Sequence, residues 1–269
     1  MTQLEILENE LKSRGLSNLT LKAYVRHNNN FLKFTKKKAE EVLNDDIKNY
    51  LNHLTEEKKL KSSSIILTLS ALKFYYEGIL KKQIFDNIKL PQTEEANKEA
   101  LSKEEIKKLI DGIKNQKHKL IVGLMYGSGL KVSEVVNLNV KDINIKNKVG
   151  KAKSGSKEKS FVLASKLIEF LNEYLQNREN ESEFLFPTRK SHMSIRMAQK
   201  IVNKAAKTAK IEKKVNCTLL RDTYSKHLIE NGVDNKVVQI LLGNYGVYKN
   251  LKLTKEQMKD IISPFDSLY

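Results

Sequence analysis

Apolar residues recur three and four positions apart from Thr2 to about Leu90, the spacing of helices that bury one face. Four stretches carry the pattern: LEILENELKSRG, LTLKAYVRHNNNFLKFTKKK, DDIKNYLNHLTEEKKL and SSSIILTLSALKFYYEGILKK. Asn18, Asn44 and Ser62 stand where side-chain oxygens cap helix starts, and Gly15 where a helix ends. Residues 1–90 are therefore expected to form a four-helix domain. Phe74, Tyr75 and Tyr76 in the last stretch read as packing residues ahead of a base-stacking surface.

The pattern then changes. PQTEEANKEA, residues 91–100, is polar and aperiodic and reads as a linker. Ser102 and Glu105 form a capping box that opens a second region, 101–269. Helices are predicted over Ser102–Ile113 and His118 to about Gly127. The short alternating runs of DINIKNKVGKAKSGSKEKSFVLA, broken by Asn, Gly and Ser, predict a small antiparallel sheet. Helical spacing returns in LIEFLNEYLQN, SIRMAQKIVNKAAKTAK, TLLRDTYSKHLIENG, DNKVVQILLG and TKEQMKDII, the last ending before Pro264. The expected fold class is mainly α with a small antiparallel sheet, arranged as a two-domain, C-shaped clamp. There are no internal repeats.

Charge changes the picture. The 269 residues carry a formal net charge of +17, and self-repulsion of that size points to a polyanionic partner. Two basic lobes on a linker suit a clamp around duplex DNA, with phosphate contacts supplying most of the affinity. Lysine supplies nearly all of this charge, because only Arg14, Arg26, Arg178, Arg189, Arg196 and Arg221 are arginines. Lysine lacks the planar fork that grips a phosphate at two points. The candidate DNA-contacting lysines are Lys36, Lys37 and Lys38, and Lys58, Lys59 and Lys61. Arg196, Lys200 and Lys204 recur every fourth residue along one helical face.

The five histidines, at 27, 53, 118, 192 and 227, lack ligand spacing and Cys217 stands alone, so no metal site is expected. Cys217 reads as a small buried residue. GSGLK at 127–131 is too short for a nucleotide-binding loop, and no cofactor is expected. No run approaches the ~18 apolar residues of a membrane span. The opening MTQLEILENELKSRG has no apolar core of signal-peptide length. The expected location is the cytoplasm, away from membranes.

GSGLKVSEVVNL, the hairpin with KSGSKEKSFVLA, TLLRDTYSKHLIENGVD and VVQILLGN together resemble the catalytic domain of the tyrosine recombinases, in particular the Xer-type branch. The N-terminal helices resemble that family's core-binding domain, and SPFDSL at 263–268 resembles the tail of archaeal Xer-type members. The resemblance implies metal-free DNA cleavage. A tyrosine attacks the phosphate, two arginines and two histidine-type groups serve the transition state, and a lysine protonates the leaving oxygen.

Carried onto this chain, the motif is altered. The first arginine of the family's GLRxSE pattern falls on Lys131, and its HxLR pattern falls on Thr218 to Arg221, which keeps the arginine and loses the histidine. The second histidine or tryptophan falls on Asn244. Lys153 and Lys157 both stand near the hairpin lysine. Counted without gaps, the nucleophile position falls on Leu253. With a deletion of about five residues between Asn244 and Val247, more than one helical turn, Tyr248 takes its place and Tyr245 matches nothing. Misplacement by about 1 Å costs roughly a hundredfold in rate.

The expectation is a DNA-binding protein of this family with weakened or lost strand cleavage. One alternative is an active recombinase working through a phosphotyrosyl link at Tyr248. Another is a protein-interaction module with incidental charge. The family's habit of forming tetramers and exchanging C-terminal helices implies a homo-oligomer on DNA, or a hetero-oligomer with an active recombinase. Met258, Ile261 and Ile262 would dock on a neighbour or fold back on their own chain.

Overall fold

The structure is a computed structural model, and it describes residues 3–88, 99–154, 157–178, 181–189, 191–244 and 253–269. The chain divides into two compact units, Met1–Ala96 and Asn97–Tyr269, and each closes over its own apolar core.

In the first unit, α1 spans Gln3–Ser13, α2 Asn18–Thr35, α3 Asn44–Asn52 and α4 Ser62–Lys73, the last two running on into π-helical turns at His53–Glu57 and Phe74–Ile79. Gly15 follows α1 at φ +67°. The three predicted caps each sit one residue too late. Ser17, Leu43 and Lys61 take the extended cap conformation, while Asn18, Asn44 and Ser62 are the first helical residues. At α2 the Ser17 hydroxyl accepts the Thr20 N–H at 3.2 Å. Asn44 instead turns its amide outward and donates to the carbonyls of Ile84 and Asp86, so it closes the end of the unit onto α3. Tyr75 and Tyr76 are buried. The Phe74 ring packs edge-on against Tyr24 and carries the Arg14 guanidinium at 5.0 Å from its centre. These rings are packing residues.

The second unit is pinned from its first described residues. The Ala100 carbonyl accepts from Lys213, and the Leu101 N–H donates to the buried Thr223 hydroxyl. Helix α5, Lys103–Asp111, begins at the Ser102–Glu105 capping box. Helix α6, Gln116–Gly127, is buried along its whole second half. It ends where Gly129 turns the chain at φ +60° beneath the Tyr224 ring, and α7, Val132–Val136, follows. Strands β1 (Ile143–Asn144), β2 (Val149–Ser154) and β3 (Lys157–Val162) form an antiparallel sheet in that order. The register pairs Gly150 with Phe161, Ala152 with Lys159 and Lys153 with Glu158. Then come α8 (Ser165–Gln176), α9 (Ile195–Thr208), α10 (Cys217–Glu230), α11 (Asn235–Leu242) and α12 (Lys255–Lys259).

The C-terminal residues fold onto their own unit. Met258, Ile261, Phe265 and Leu268 are buried in its core, while Ile262 is 70% exposed. The Ser263 hydroxyl donates to the Gly127 carbonyl at 2.7 Å. The Asp266 carboxylate caps α8 by accepting the Ser165 and Lys166 N–H groups, an arrangement favoured by the positive end of the helix. No helix among the described residues is long and apolar enough to cross a membrane.

Candidate active site

The short turn between α6 and α7 sets the first element of the site. Lys131 is the cap of α7. Its backbone N–H donates to the Glu134 carboxylate at 2.7 Å, and its side chain is left exposed. Glu134 is only 2% exposed, and a carboxylate so placed needs cationic company. That company comes from the sheet. Lys159 on β3 places its Nζ 3.0 Å from the same carboxylate and is itself almost fully buried. Burial pushes the Lys159 ammonium down to about 8, with Glu134 opposing the shift and Arg221 and Lys131 adding to it.

Helix α10 supplies the third cation. Asn216 caps it by accepting the Leu219 N–H at 2.9 Å, and Leu220, Tyr224 and Leu228 fix its buried face. Arg221 lies at the edge of that face, half-buried. Its guanidinium donates to the Leu242 carbonyl at the end of α11. Burial lowers its proton affinity, and Glu134 and Asp222 counteract this. Lys131, Glu134, Lys159 and Arg221 thus form one electrostatic cluster built from three parts of the unit.

Thr218, Asn244 and Lys153, three further motif positions, have exposed side chains. Thr218 is exposed in the first turn of α10. Asn244, just past the left-handed Gly243, is exposed and donates its amide to Gln239 at 3.0 Å. Lys153 is exposed on β2 opposite Glu158. Lys157 pairs through its backbone with Ser154 at the hairpin end. Tyr245 and Tyr248 lie outside the described residues.

Two members of the cluster, Glu134 and Lys159, escaped the sequence reading. The period of two along KEKSF puts Lys159 on the same face as Phe161, which is fully buried against Gly150. That alternation was the available signal. For Glu134 it was the capping-box spacing from Lys131.

Elsewhere, Lys36, Lys37, Lys38, Lys58, Lys59 and Lys61 are all exposed, and of these Lys37 donates to both oxygens of Asp46 at 2.7 and 2.9 Å. Arg196, Lys200 and Lys204 are exposed along α9. Lys200 and Lys204 border a cavity of about 550 Å³ with His118 and Met197. Among the described residues no cluster of His, Cys, Asp or Glu is suited to a metal ion. Burial raises the half-buried Cys217 thiol to about 11, which keeps it protonated and unreactive near neutral pH.

The family model for the phage integrase family matches residues 99–255, and that for the phage integrase N-terminal SAM-like domain matches residues 4–86. The chain belongs to the phage integrase family of tyrosine recombinases. Within the family it is 28% identical to tyrosine recombinase XerA of Pyrococcus horikoshii, over 96% of this chain and 90% of that one. It is 32% identical to a tyrosine recombinase of Pseudothermotoga lettingae, over 86% of this chain and 85% of that protein. The fold is shared with the crystal structure of a lambda integrase dimer bound to a core site, with a TM-score of 0.73 at 17% identity over 94% of this chain and 97% of that one. The XerA recombinase crystal structure aligns over 99% of this chain and 95% of its own with a TM-score of 0.53 and 24% identity.

Proposed function

We propose that this recombinase-family chain binds duplex DNA and that its ability to cut a strand is weakened or lost. Family membership and the net charge of +17 support DNA as the partner. Solved relatives of the same fold are complexes of lambda integrase and of XerH with DNA sites. Residues 1–90 would act as a helical DNA-binding domain, 91–100 as the linker and 101–269 as the catalytic-type domain. The exposed lysines of the first unit and the α9 row of Arg196, Lys200 and Lys204 would meet phosphates. Such a protein fits an accessory role, as a homo-oligomer or beside an active recombinase, in the cytoplasm.

The state of the motif positions carries the loss of cleavage. Lys131 offers a point charge where the family has a two-point grip. Thr218 and Asn244 offer no titratable group, and the Arg221 guanidinium is engaged with the Leu242 carbonyl. A five-coordinate phosphate needs donors already aimed at it, and loss of one such donor costs about a hundredfold to a thousandfold in rate.

One observation favours a second reading, an active recombinase using Tyr248. Lys159 pairs with the Glu134 carboxylate, and Lys131 and Arg221 both act electrostatically on Lys159, so the positive character of the site persists. The deciding experiment incubates the protein with a nicked suicide duplex beside a Tyr248→Phe control. Salt-dependent binding without a denaturation-resistant adduct is the expected result. An adduct that disappears in the control would replace this reading with the active one, and binding indifferent to salt would argue for a protein partner instead.

A further inference from the structure

The Lys159–Glu134 pair has an unusual composition. Glu134 is the one buried carboxylate among the cations Lys131, Lys159 and Arg221, with the exposed Asp222 acting on Arg221 from the solvent side, so the buried Lys159–Glu134 pair sits beside further positive charge. Lys159 Nζ sits 3.0 Å from Glu134, and no acceptor besides Glu134 reaches it among the described residues. A buried ammonium with unused donors, beside an exposed Lys131 and a half-buried Arg221, has the chemistry of an incomplete anion site.

We propose that Lys159 is a positioning residue for one DNA phosphate: through Glu134 it fixes the first turn of α7, and so Lys131, and its charge is retained for the phosphate that completes the cluster. This rests on the DNA-binding reading. The connection runs through named atoms. Glu134 accepts the Lys131 N–H and faces Lys159, so the β3 strand and the α7 cap share one carboxylate. Loss of the Lys159 charge leaves Glu134 buried without its cation, and the Lys131 cap loosens with it.

The same arrangement makes phosphate binding proton-linked. Burial and the neighbouring charges leave free Lys159 partly neutral above about pH 8, and a bound phosphate favours the ammonium again. DNA binding at pH 9 therefore takes up a proton, whereas binding near pH 6.5 does not. The charges facing Lys159 are Glu134 and Lys131 from α7 and Arg221 from α10. Its partner across the sheet is Ala152, flanked by exposed Lys151 and Lys153. From α11 and α12, which also pack on β3, the titratable side chains Lys236, Glu256 and Lys259 are exposed.

The test compares the full-length wild type with Lys159→Arg and with the double variant Lys159→Met/Glu134→Gln on one duplex. The double variant removes both charges together and keeps an acceptor for the Lys131 N–H, so the fold is not left with a lone buried carboxylate. Melting confirms that each variant is folded. The salt dependence of Kd and the proton uptake from calorimetry in buffers of different ionisation enthalpy are then measured. The wild type is expected to take up a proton at pH 9. The double variant leaves the net charge of the cluster unchanged, and through the lost ammonium donors it is expected to bind roughly tenfold to a hundredfold more weakly, with no linked proton. Lys159→Arg is expected to keep the wild-type affinity without the proton, since arginine stays charged. A folded double variant with the wild-type affinity would overturn the proposal, as would wild-type binding at pH 9 without proton uptake. Wild-type binding that ignores salt would overturn the DNA-binding reading itself.

Discussion

Gly129 shows how one residue positions the site. It turns the chain at φ +60° between α6 and Lys131, and a Cβ there would stand 2.5 Å from the Tyr224 ring. Tyr224 is fully buried and cannot swing into solvent. Gly129→Ala combines left-handed strain with overpacking and is expected to destabilise the unit by roughly 2–4 kcal/mol, read from urea denaturation. A change below about 0.5 kcal/mol would mean that Tyr224 and α10 move aside freely. The site itself was only partly legible at this scale. Lys131 and Arg221 are marked by their neighbours in GLKVSE and TLLR, whereas Lys159 is one of four lysines in its hairpin, with Lys151, Lys153 and Lys157. Only the alternation that buries Phe161 and Lys159 together separates it from Lys153.

At the scale of elements the sequence was informative because period and punctuation agree. The capping box at Ser102, the helix end near Gly127, the small antiparallel sheet and the end of DNKVVQILLG at the left-handed Gly243 all follow from residue type. The cap at α2 shifted by one residue because two cap-forming residues, Ser17 and Asn18, stand side by side and the backbone angle selects between them, whereas α3 and α4 start from Leu43 and Lys61, which make no side-chain cap bond. The destination of the C-terminal segment was not legible, since apolar residues at helical spacing fit either the home core or a neighbour's. In the structure Phe265 fills the space over Gly123 and Gly127 beside Leu167, and Tyr269 donates to Asp111 at 2.8 Å. Phe265→Ala is therefore expected to cost about 3–5 kcal/mol, measured by thermal or urea unfolding. The loss should be the same at every protein concentration. A loss that varies with concentration would show that the segment docks between subunits.

On the scale of the whole molecule, two units with separate cores share one basic chain. Neither needs the other to bury its apolar residues, so each is expected to fold when expressed alone as Met1–Ala96 or Asn97–Tyr269. If both contact the same duplex, the chain between them turns the second contact into an intramolecular step, and the intact protein gains affinity without any new interaction. The full chain is expected to bind a duplex about a hundredfold to ten-thousandfold more tightly than the stronger unit alone, and mixing the two units should not recover the difference. Equilibrium titration of the three proteins at one fixed salt concentration checks this, because phosphate contacts make comparisons across salts meaningless. Equal affinity of the full chain and one unit would place all the DNA contacts on that unit. The basic residues of the other would then serve a different partner.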